Sequence, residues 1–143
     1  MTKRLYASFA LDGMWFGVDA TDVQEVLRDQ QLTSVPLAAP EVSGLMNLRG
    51  QIVVTLELRT RLGLSIRGPD ESPVNIVLRT EHGLLAVVAD EVGDVFEADD
   101  SELVPPPITL SGPAKDLVSA VHQRDDQLLL VLDVHKTAEP SAA

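Results

Sequence analysis

The chain has 143 residues, no cysteine and a formal net charge of −11. Nucleic-acid binding requires clustered Lys and Arg with aromatic platforms, so 22 acidic against 11 basic residues and an aromatic fraction of 3% argue against a nucleic-acid partner. The lack of cysteine excludes disulfides, Cys-ligated zinc and thiol catalysis. No apolar run approaches the length of a bilayer span, so we expect a cytoplasmic protein without direct membrane insertion.

The first elements in chain order are predicted to be a hairpin and a short helix. Residues 5–11 and 14–18 are rich in strand formers, and Asp12 with Gly13 supplies a two-residue turn. Residues 21–24 have the spacing of a capping box, and three apolar residues follow at helical spacing: Val23, Val26 and Leu27. The sequence therefore predicts a helix here, whose apolar stripe either joins the core or lines a groove for a partner helix.

Residues 42–64 are predicted to form a short amphipathic segment, a tight Asn-Leu-Arg-Gly corner, a buried strand and a second short helix. Arg49 projects from this corner, where it is pre-organised to pair with a carboxylate or with carbonyl oxygens. Glu25 is the natural partner within the chain. The alternative is that Arg49 only pins the corner and contacts no other protein.

The second half of the chain is predicted to contain further short strands. Residues 74–79 and 84–89 form a hairpin about position 82, and residues 90–96 form a strand with Val92 and Val95 as its buried residues. A final hairpin joins residues 117–121 to 128–132 through a turn at 124–126. Many short strands with few helices and no linker predict an all-β fold built from small barrels.

The usual signatures of catalysis are missing from the sequence. His82, His122 and His135 are far apart, and no nucleophile elbow, phosphate-binding loop or dinucleotide fingerprint is present. Residues 90–102 include seven acidic residues, but Val95 stands where a calcium loop needs glycine. Arg59, Arg61 and Arg67 form a basic patch, which is either a solvated helix face or a surface that orients a partner. We predict no catalytic residue, metal site or cofactor.

Four segments resemble the motifs of the CheW family of chemotaxis coupling proteins in the family's order and spacing: LYASFALDGMWFGVDATDVQEV, GLMNLRGQIVVTLELRTRLGL, VVADEVGDVFE and LLLVLDVHK. The resemblance implies an all-β, CheW-like fold of two small five-stranded SH3-like β-barrels with a few short helices. It implies that residues 1–137 are a single domain made of two interleaved barrel subdomains. The last residues are small and polar, which predicts a flexible tail at residues 138–143. Val54 departs from the family's frequent proline, and Glu57 replaces its usual aspartate.

The resemblance also implies a function without catalysis. The chain would be an adaptor that links methyl-accepting chemoreceptors to a CheA-type histidine kinase, recruited from the cytoplasm to membrane-associated receptor arrays. The cytoplasmic tip of the receptor would bind a groove that involves Val23, Glu25, Val26, Gly44, Asn47 and Arg49. The regulatory domain of the kinase would contact Leu84, Leu85, Ala86, Val92, Gly93, Asp94 and Val95.

Two alternatives remain open from the sequence. The first is a diverged CheW-like adaptor of a non-flagellar chemosensory pathway, such as one that controls pilus motility. The second is a small-barrel enzyme or ligand-binding protein that uses the acidic segment and His82.

Overall fold

A computed structural model describes residues 3–28, 30–68, 71–124 and 126–139. Across these ranges the chain forms two β-sheets and three short α-helices. The strands are β1 (Lys3–Leu11), β2 (Met14–Asp19), β3 (Val23–Arg28), β4 (Val42–Leu48), β5 (Gln51–Glu57), β6 (Val74–Thr80), β7 (Gly83–Ala89), β8 (Glu91–Asp99), β9 (Leu103–Val104), β10 (Val118–Arg124) and β11 (Gln127–Leu132). The helices are α1 (Leu58–Arg61), α2 (Pro113–Leu117) and α3 (Val134–Ala138).

The two ends of the chain build one sheet and its middle builds the other. The first sheet has the order β8-β1-β2-β11-β10-β9, and the second has the order β3-β6-β7-β5-β4. In both sheets a parallel pair, β2 with β11 or β5 with β7, joins two antiparallel hairpins. The chain passes from the first sheet to the second through a 3₁₀ turn at Ala20–Asp22 and returns through Asp90.

Each sheet curls until its two edges approach each other. In the first sheet the edge strands β8 and β9 are consecutive, separated only by the 3₁₀ turn Asp100–Glu102. In the second sheet Thr33, five residues after edge strand β3, exchanges two backbone hydrogen bonds of 2.9 and 2.8 Å with Leu45 of edge strand β4. The predicted architecture of two small SH3-like barrels is confirmed, although the first sheet has a sixth, two-residue strand and neither sheet is a fully closed barrel.

Three groups of apolar side chains hold this arrangement together. Tyr6 and Phe96 belong to the interior of the first sheet, and Met46 and Val53 belong to the interior of the second. The largest group lies between the sheets and takes residues from both, including Phe9, Phe16, Leu58, Ile76, Leu78 and Leu132. Because this shared core is larger than either barrel interior, most apolar burial depends on the sheets being packed together.

The predicted hairpins are confirmed, with small shifts at their ends. Asp12 and Gly13 both have positive φ (50° and 79°), as the two central residues of a tight hairpin turn require. The hairpin of β6 and β7 turns at residues 81–82. In the hairpin of β10 and β11, Arg124 pairs with Gln127, and Asp125 of the predicted turn lies outside the described residues. The predicted tail falls partly on α3, and residues 140–143 also lie outside the description.

The prediction of a helix at Val23–Leu27 is wrong. The N-cap is Asp19 and not the predicted Thr21: Asp19 Oδ1 accepts a hydrogen bond from the Thr21 amide at 2.9 Å. The helical geometry is a 3₁₀ turn that ends at Asp22. Residues 23–28 then pair with β6 as strand β3. The β-branched residues Val23 and Val26 suit an extended strand, and pairing with β6 satisfies backbone groups that a helix this short would leave exposed.

Two predictions of burial are also wrong. Val92 and Val95 are 40% and 58% exposed, because β8 is an edge strand and the described residues leave that part of its face open. Strand β5 is buried only in part, since Ile52 and Val54 are 63% and 40% exposed while Val53 between them is fully buried. This is the alternation expected of a strand with one face on the core.

Among the described residues, none of the helices has the length and apolar character needed to span a membrane.

Candidate functional site

Arg49 and Glu25 form an ion pair at the edge of the second sheet, as the sequence predicted. Arg49 Nη1 donates to Glu25 Oε1 at 2.5 Å and Nη2 donates to Oε2 at 2.9 Å, so the guanidinium grips both carboxylate oxygens. The Arg49 side chain is 71% exposed and that of Glu25 is 20% exposed. The two residues, called the rim pair below, connect the β4–β5 corner to edge strand β3 across the seam of the barrel.

The corner is held in place by its own backbone and by Asn47. Arg49 and Gly50 both have positive φ (51° and 89°), and Asn47 Oδ1 accepts a hydrogen bond from the Gly50 amide at 2.9 Å. These features fix the turn without help from the arginine side chain. The guanidinium therefore projects from a rigid base into solvent, where a partner can reach it.

Val23 and Val26 share one face of β3, opposite the face that carries Glu25. A bulge after Val23 places Val23 opposite Leu78 and Val26 opposite Ile76, and both of these partners belong to the core between the sheets. Val23 is partly buried against that core, while Val26 is 43% exposed. Edge strand β3 therefore carries two different surfaces. Its apolar face, with Val23 and Val26, borders the junction of the two sheets, and its other face carries the charged rim pair.

Gly44, another predicted groove residue, is buried. It lies in β4 with φ of 154°, and a Cβ added there would come within 2.7 Å of the Thr33 carbonyl oxygen. This position requires glycine because the segment that closes the seam passes directly over it. Gly44 therefore supports the shape of the site through Thr33 and offers no side chain to a partner.

The electrostatics of the rim pair favour its charged form. The hydrogen bond and charge of Arg49 lower the pKa of the Glu25 carboxyl below its ordinary value, and Glu25 raises the pKa of Arg49. Both groups are therefore ionised at neutral pH. A partner that binds here meets a bidentate, charged pair with unused hydrogen-bonding capacity on the arginine.

The residues predicted to contact a kinase are divided between the two sheets. Leu84, Leu85 and Ala86 lie in β7, and the last two of these are buried at 7% and 0% exposure, so their side chains cannot form a contact surface. Val92, Gly93, Asp94 and Val95 lie in β8 and are exposed. Gly93 packs closely, since an added Cβ would come within 2.6 Å of both Ser8 Oγ and the Trp15 ring.

The sequence interpretation missed a part-buried cluster of ion pairs at the return crossing between the sheets. Arg59 and Arg67, predicted to belong to a solvated or partner-orienting basic patch, have side chains only 8% and 10% exposed. Both bind Asp90, Arg67 also binds Glu57, and Arg59 also binds Glu71. We call these five residues the crossover cluster. Arg61 differs, because it donates to carbonyl oxygens at the end of α3, including that of Lys136 at 3.0 Å.

A mostly apolar cavity of about 300 Å³ lies beside the start of β4, the middle of β5 and the end of α3, with Val54, Leu84 and His82 among its lining residues. Within the described ranges no three His, Asp or Glu side chains are placed to hold a metal ion. The site is thus an arrangement of charged and apolar surfaces.

Comparison with known proteins gives a consistent result. Residues 5–140 match the CheW-like domain family. The chain is 28% identical to the chemotaxis protein CheW of Thermotoga maritima over 136 residues, covering 92% of this chain and 85% of that protein. It is 26% identical to the chemotaxis protein CheW of Treponema pallidum over 133 residues, covering 90% and 78%. Its fold matches the crystal structure of the scaffolding protein TtCheW from Thermoanaerobacter tengcongensis with a TM-score of 0.87 and 26% identity, covering 96% and 94% of the two chains.

Proposed function

This chain belongs to the CheW family, and we propose that it is a chemotaxis coupling protein that links methyl-accepting chemoreceptors to a CheA-type histidine kinase. The observation that carries the proposal is the match to the CheW-like domain over residues 5–140, together with the agreement of the whole fold with a CheW scaffolding protein. The chain acts as an adaptor and catalyses nothing. Its partners recruit it to membrane-associated receptor arrays.

The receptor tip binds along edge strand β3 and contacts both of its sides. Val26, exposed beside the partly buried Val23, supplies an apolar contact for a helical hairpin. The rim pair on the other side of β3 supplies charge and hydrogen bonds that fix the register of the bound tip. Asn47 maintains the corner, and Gly44 allows the seam to close, so both act through the shape of the site.

The regulatory domain of the kinase binds on the exposed part of β8. Val92 and Val95 provide exposed apolar area on an edge strand, with Asp94 between them. The residues predicted in β7 do not carry this contact, because Leu85 and Ala86 are buried and Leu84 is half-buried in the second sheet. The two partners thus bind different sheets of one chain, and their activities are coupled through the packing of those sheets.

The proposal is tested by replacing Arg49 with alanine and measuring binding to a receptor cytoplasmic hairpin. We expect the affinity of Arg49→Ala to fall about ten-fold or more, because truncating one member of a charge pair in an interface leaves the other buried without its partner. Affinity for the kinase regulatory domain should stay unchanged, since that domain binds the other sheet. Surface plasmon resonance with each partner immobilised measures both.

Arg4→Ala is the matched control, because Arg4 is also exposed and paired with carboxylates, those of Asp19 and Asp100, but lies in the first sheet. It should bind the receptor hairpin as the unmodified chain does. A folded Arg49→Ala protein with full receptor affinity would show that Arg49 does not form part of the receptor site.

A further inference from the structure

Asp90 is the single residue between the last strand of the second sheet and the next strand of the first. Strand β7 ends at Ala89 and β8 begins at Glu91. The amide of Asp90 donates to the Ala10 carbonyl oxygen in β1 at 2.9 Å, and its Oδ2 accepts from the Asp12 amide in the β1–β2 turn at 2.8 Å. Asp90 is therefore fixed to the first sheet through its backbone and its side chain.

Two arginines on the side of the second sheet donate hydrogen bonds to the same carboxylate. Arg59, in α1 directly after β5, donates from Nε to Oδ1 at 3.0 Å and from Nη2 to Oδ2 at 2.7 Å. Arg67, in the loop that follows α1, donates from Nη1 to Oδ1. One carboxylate thus accepts hydrogen bonds from both halves of the molecule.

Both arginines are held in position on the side of the second sheet. Arg67 forms a second fork onto Glu57 at the end of β5, with distances of 2.9 and 3.1 Å. Arg59 also donates from Nη2 to Glu71 at 3.0 Å and from Nη1 to the Ser65 carbonyl oxygen at 3.4 Å. Since each guanidinium is planar and fixed at more than one donor, its orientation is set by its own sheet before it reaches Asp90.

The apolar core between the sheets does not by itself fix their relative orientation. Hydrophobic contact is non-directional and tolerates small rotations of one face over another, whereas bidentate charged hydrogen bonds require a specific geometry. We infer that Asp90, gripped by Arg59 and Arg67, is a positioning residue that sets the angle between the two sheets and so couples the partner surfaces they carry. The structural part of this inference is independent of the proposed function, while the coupling of partners rests on it.

The angle between the sheets can be measured without any partner. The chain has no cysteine, so spin labels can be attached at cysteines introduced for Glu97 in β8 and His82 in the β6–β7 turn, both exposed. Double electron–electron resonance should give one narrow distance distribution for the labelled parent protein. Asp90→Asn should broaden or shift the distribution. Its one oxygen can replace Oδ1, but its amide nitrogen is a donor and cannot accept from Arg59 Nη2 and the Asp12 amide as Oδ2 does.

Glu71→Gln is the matched control, since glutamine keeps an oxygen that can accept the Arg59 hydrogen bond, and the partners of Glu71, Arg59 and the Gly68 amide, both lie outside the first sheet. Its distribution should equal that of the parent. A folded Asp90→Asn protein with the parent distribution would overturn the inference. If Asp90→Asn does not fold, Arg67→Lys is the test variant. Lysine keeps the positive charge but cannot reproduce the planar set of hydrogen bonds from Arg67 to Glu57 and Asp90. Arg67→Lys should broaden the distribution, and an unchanged distribution would overturn the inference in the same way.

A second measurement tests the consequence for partners. In the parent protein, binding of a receptor hairpin should strengthen binding of the kinase regulatory domain; in Asp90→Asn each separate affinity should persist while this mutual enhancement falls about ten-fold. Equal enhancement in both proteins would overturn the coupling role of Asp90. If the labels show altered sheet geometry but the parent binds neither partner, the proposed function fails and the positioning role of Asp90 stands.

Discussion

The rim pair and the crossover cluster use the same chemistry, an arginine fork on a carboxylate, in two different environments. At the rim, the Arg49 side chain is 71% exposed and grips one carboxylate. At the crossover, the Arg59 and Arg67 side chains are 8% and 10% exposed and share Asp90 with a backbone amide. Both sites join parts of the chain that are distant in sequence.

The difference in burial gives the two sites different tasks. Water competes with an exposed pair and screens it, so such a pair adds little to stability but keeps its charges available to a partner. The nearly buried arginines of the crossover cluster have lost most of their hydration, so removing the carboxylate they share leaves positive charge that water cannot compensate. The crossover cluster is thus suited to maintaining the fold, and the rim pair to recognition.

The largest expected effect is that of Asp90→Asn on stability. We expect the free energy of unfolding to fall by about 3 kcal/mol, because two nearly buried guanidinium groups lose their shared counter-charge. Urea denaturation followed by circular dichroism measures the change. Glu71→Gln removes a carboxylate of the same cluster whose side chain is 42% exposed, and it should cost less than about 1 kcal/mol. Equal losses in the two variants would mean that burial does not distinguish these charges.

The sequence predicted the strands with a local signal and missed those set by tertiary contact. Asp12 and Gly13 predict a hairpin because the turn itself requires positive φ at both residues. Val23–Leu27 has helical spacing over only five residues, and pairing with β6 outweighs so weak a local preference. Val92 and Val95 are β-branched residues of the kind that strands bury, but burial depends on what covers the strand, which local sequence does not encode.

The candidate site was predicted in part for the same reason. The Arg49–Glu25 pair was found because a rigid corner presents an arginine and the family motif places a glutamate on the segment it faces. The crossover cluster was missed because its members are brought together by the fold: Arg59 and Asp90 are 31 residues apart, and Arg67 and Asp90 are 23 apart. Their charges, seen in sequence, are indistinguishable from those of a solvated surface.

The dependence of stability on pH gives an intermediate effect. Burial alone would raise the pKa of Asp90, but hydrogen bonds from Arg59, the Asp12 amide and Arg67 outweigh it and hold the pKa below its ordinary value of 3.8. A carboxyl with a lower pKa in the folded protein contributes stability above its unfolded pKa and loses it as the pH falls through the folded one. The stability difference between the parent and Asp90→Asn should therefore be constant near neutral pH and shrink below 3.8.

Urea denaturation of both proteins at a series of pH values measures this difference. Protonated Asp90 resembles the asparagine that replaces it, so the two curves should converge in acid. Other carboxyls with lowered pKa, such as that of Asp19, destabilise both proteins equally and cancel in the comparison. A difference that persists unchanged into strong acid would show that the charge of Asp90 is not what stabilises the crossover.

The smallest expected effect is that of Arg49→Ala on stability. The corner keeps its shape without the guanidinium, because Asn47 holds the Gly50 amide. Alanine also meets the same positive φ as the arginine it replaces, so the backbone penalty at position 49 cancels. The urea midpoint should therefore shift much less than for Asp90→Asn, and the shift should shrink at about 1 M salt, where exposed charges are strongly screened. The midpoint of Glu25→Gln should respond in the same way.

A shift as large as that of Asp90→Asn, or one that high salt does not reduce, would mean that Arg49 pins the corner as a structural residue. Loss of receptor binding by Arg49→Ala would then reflect a damaged fold.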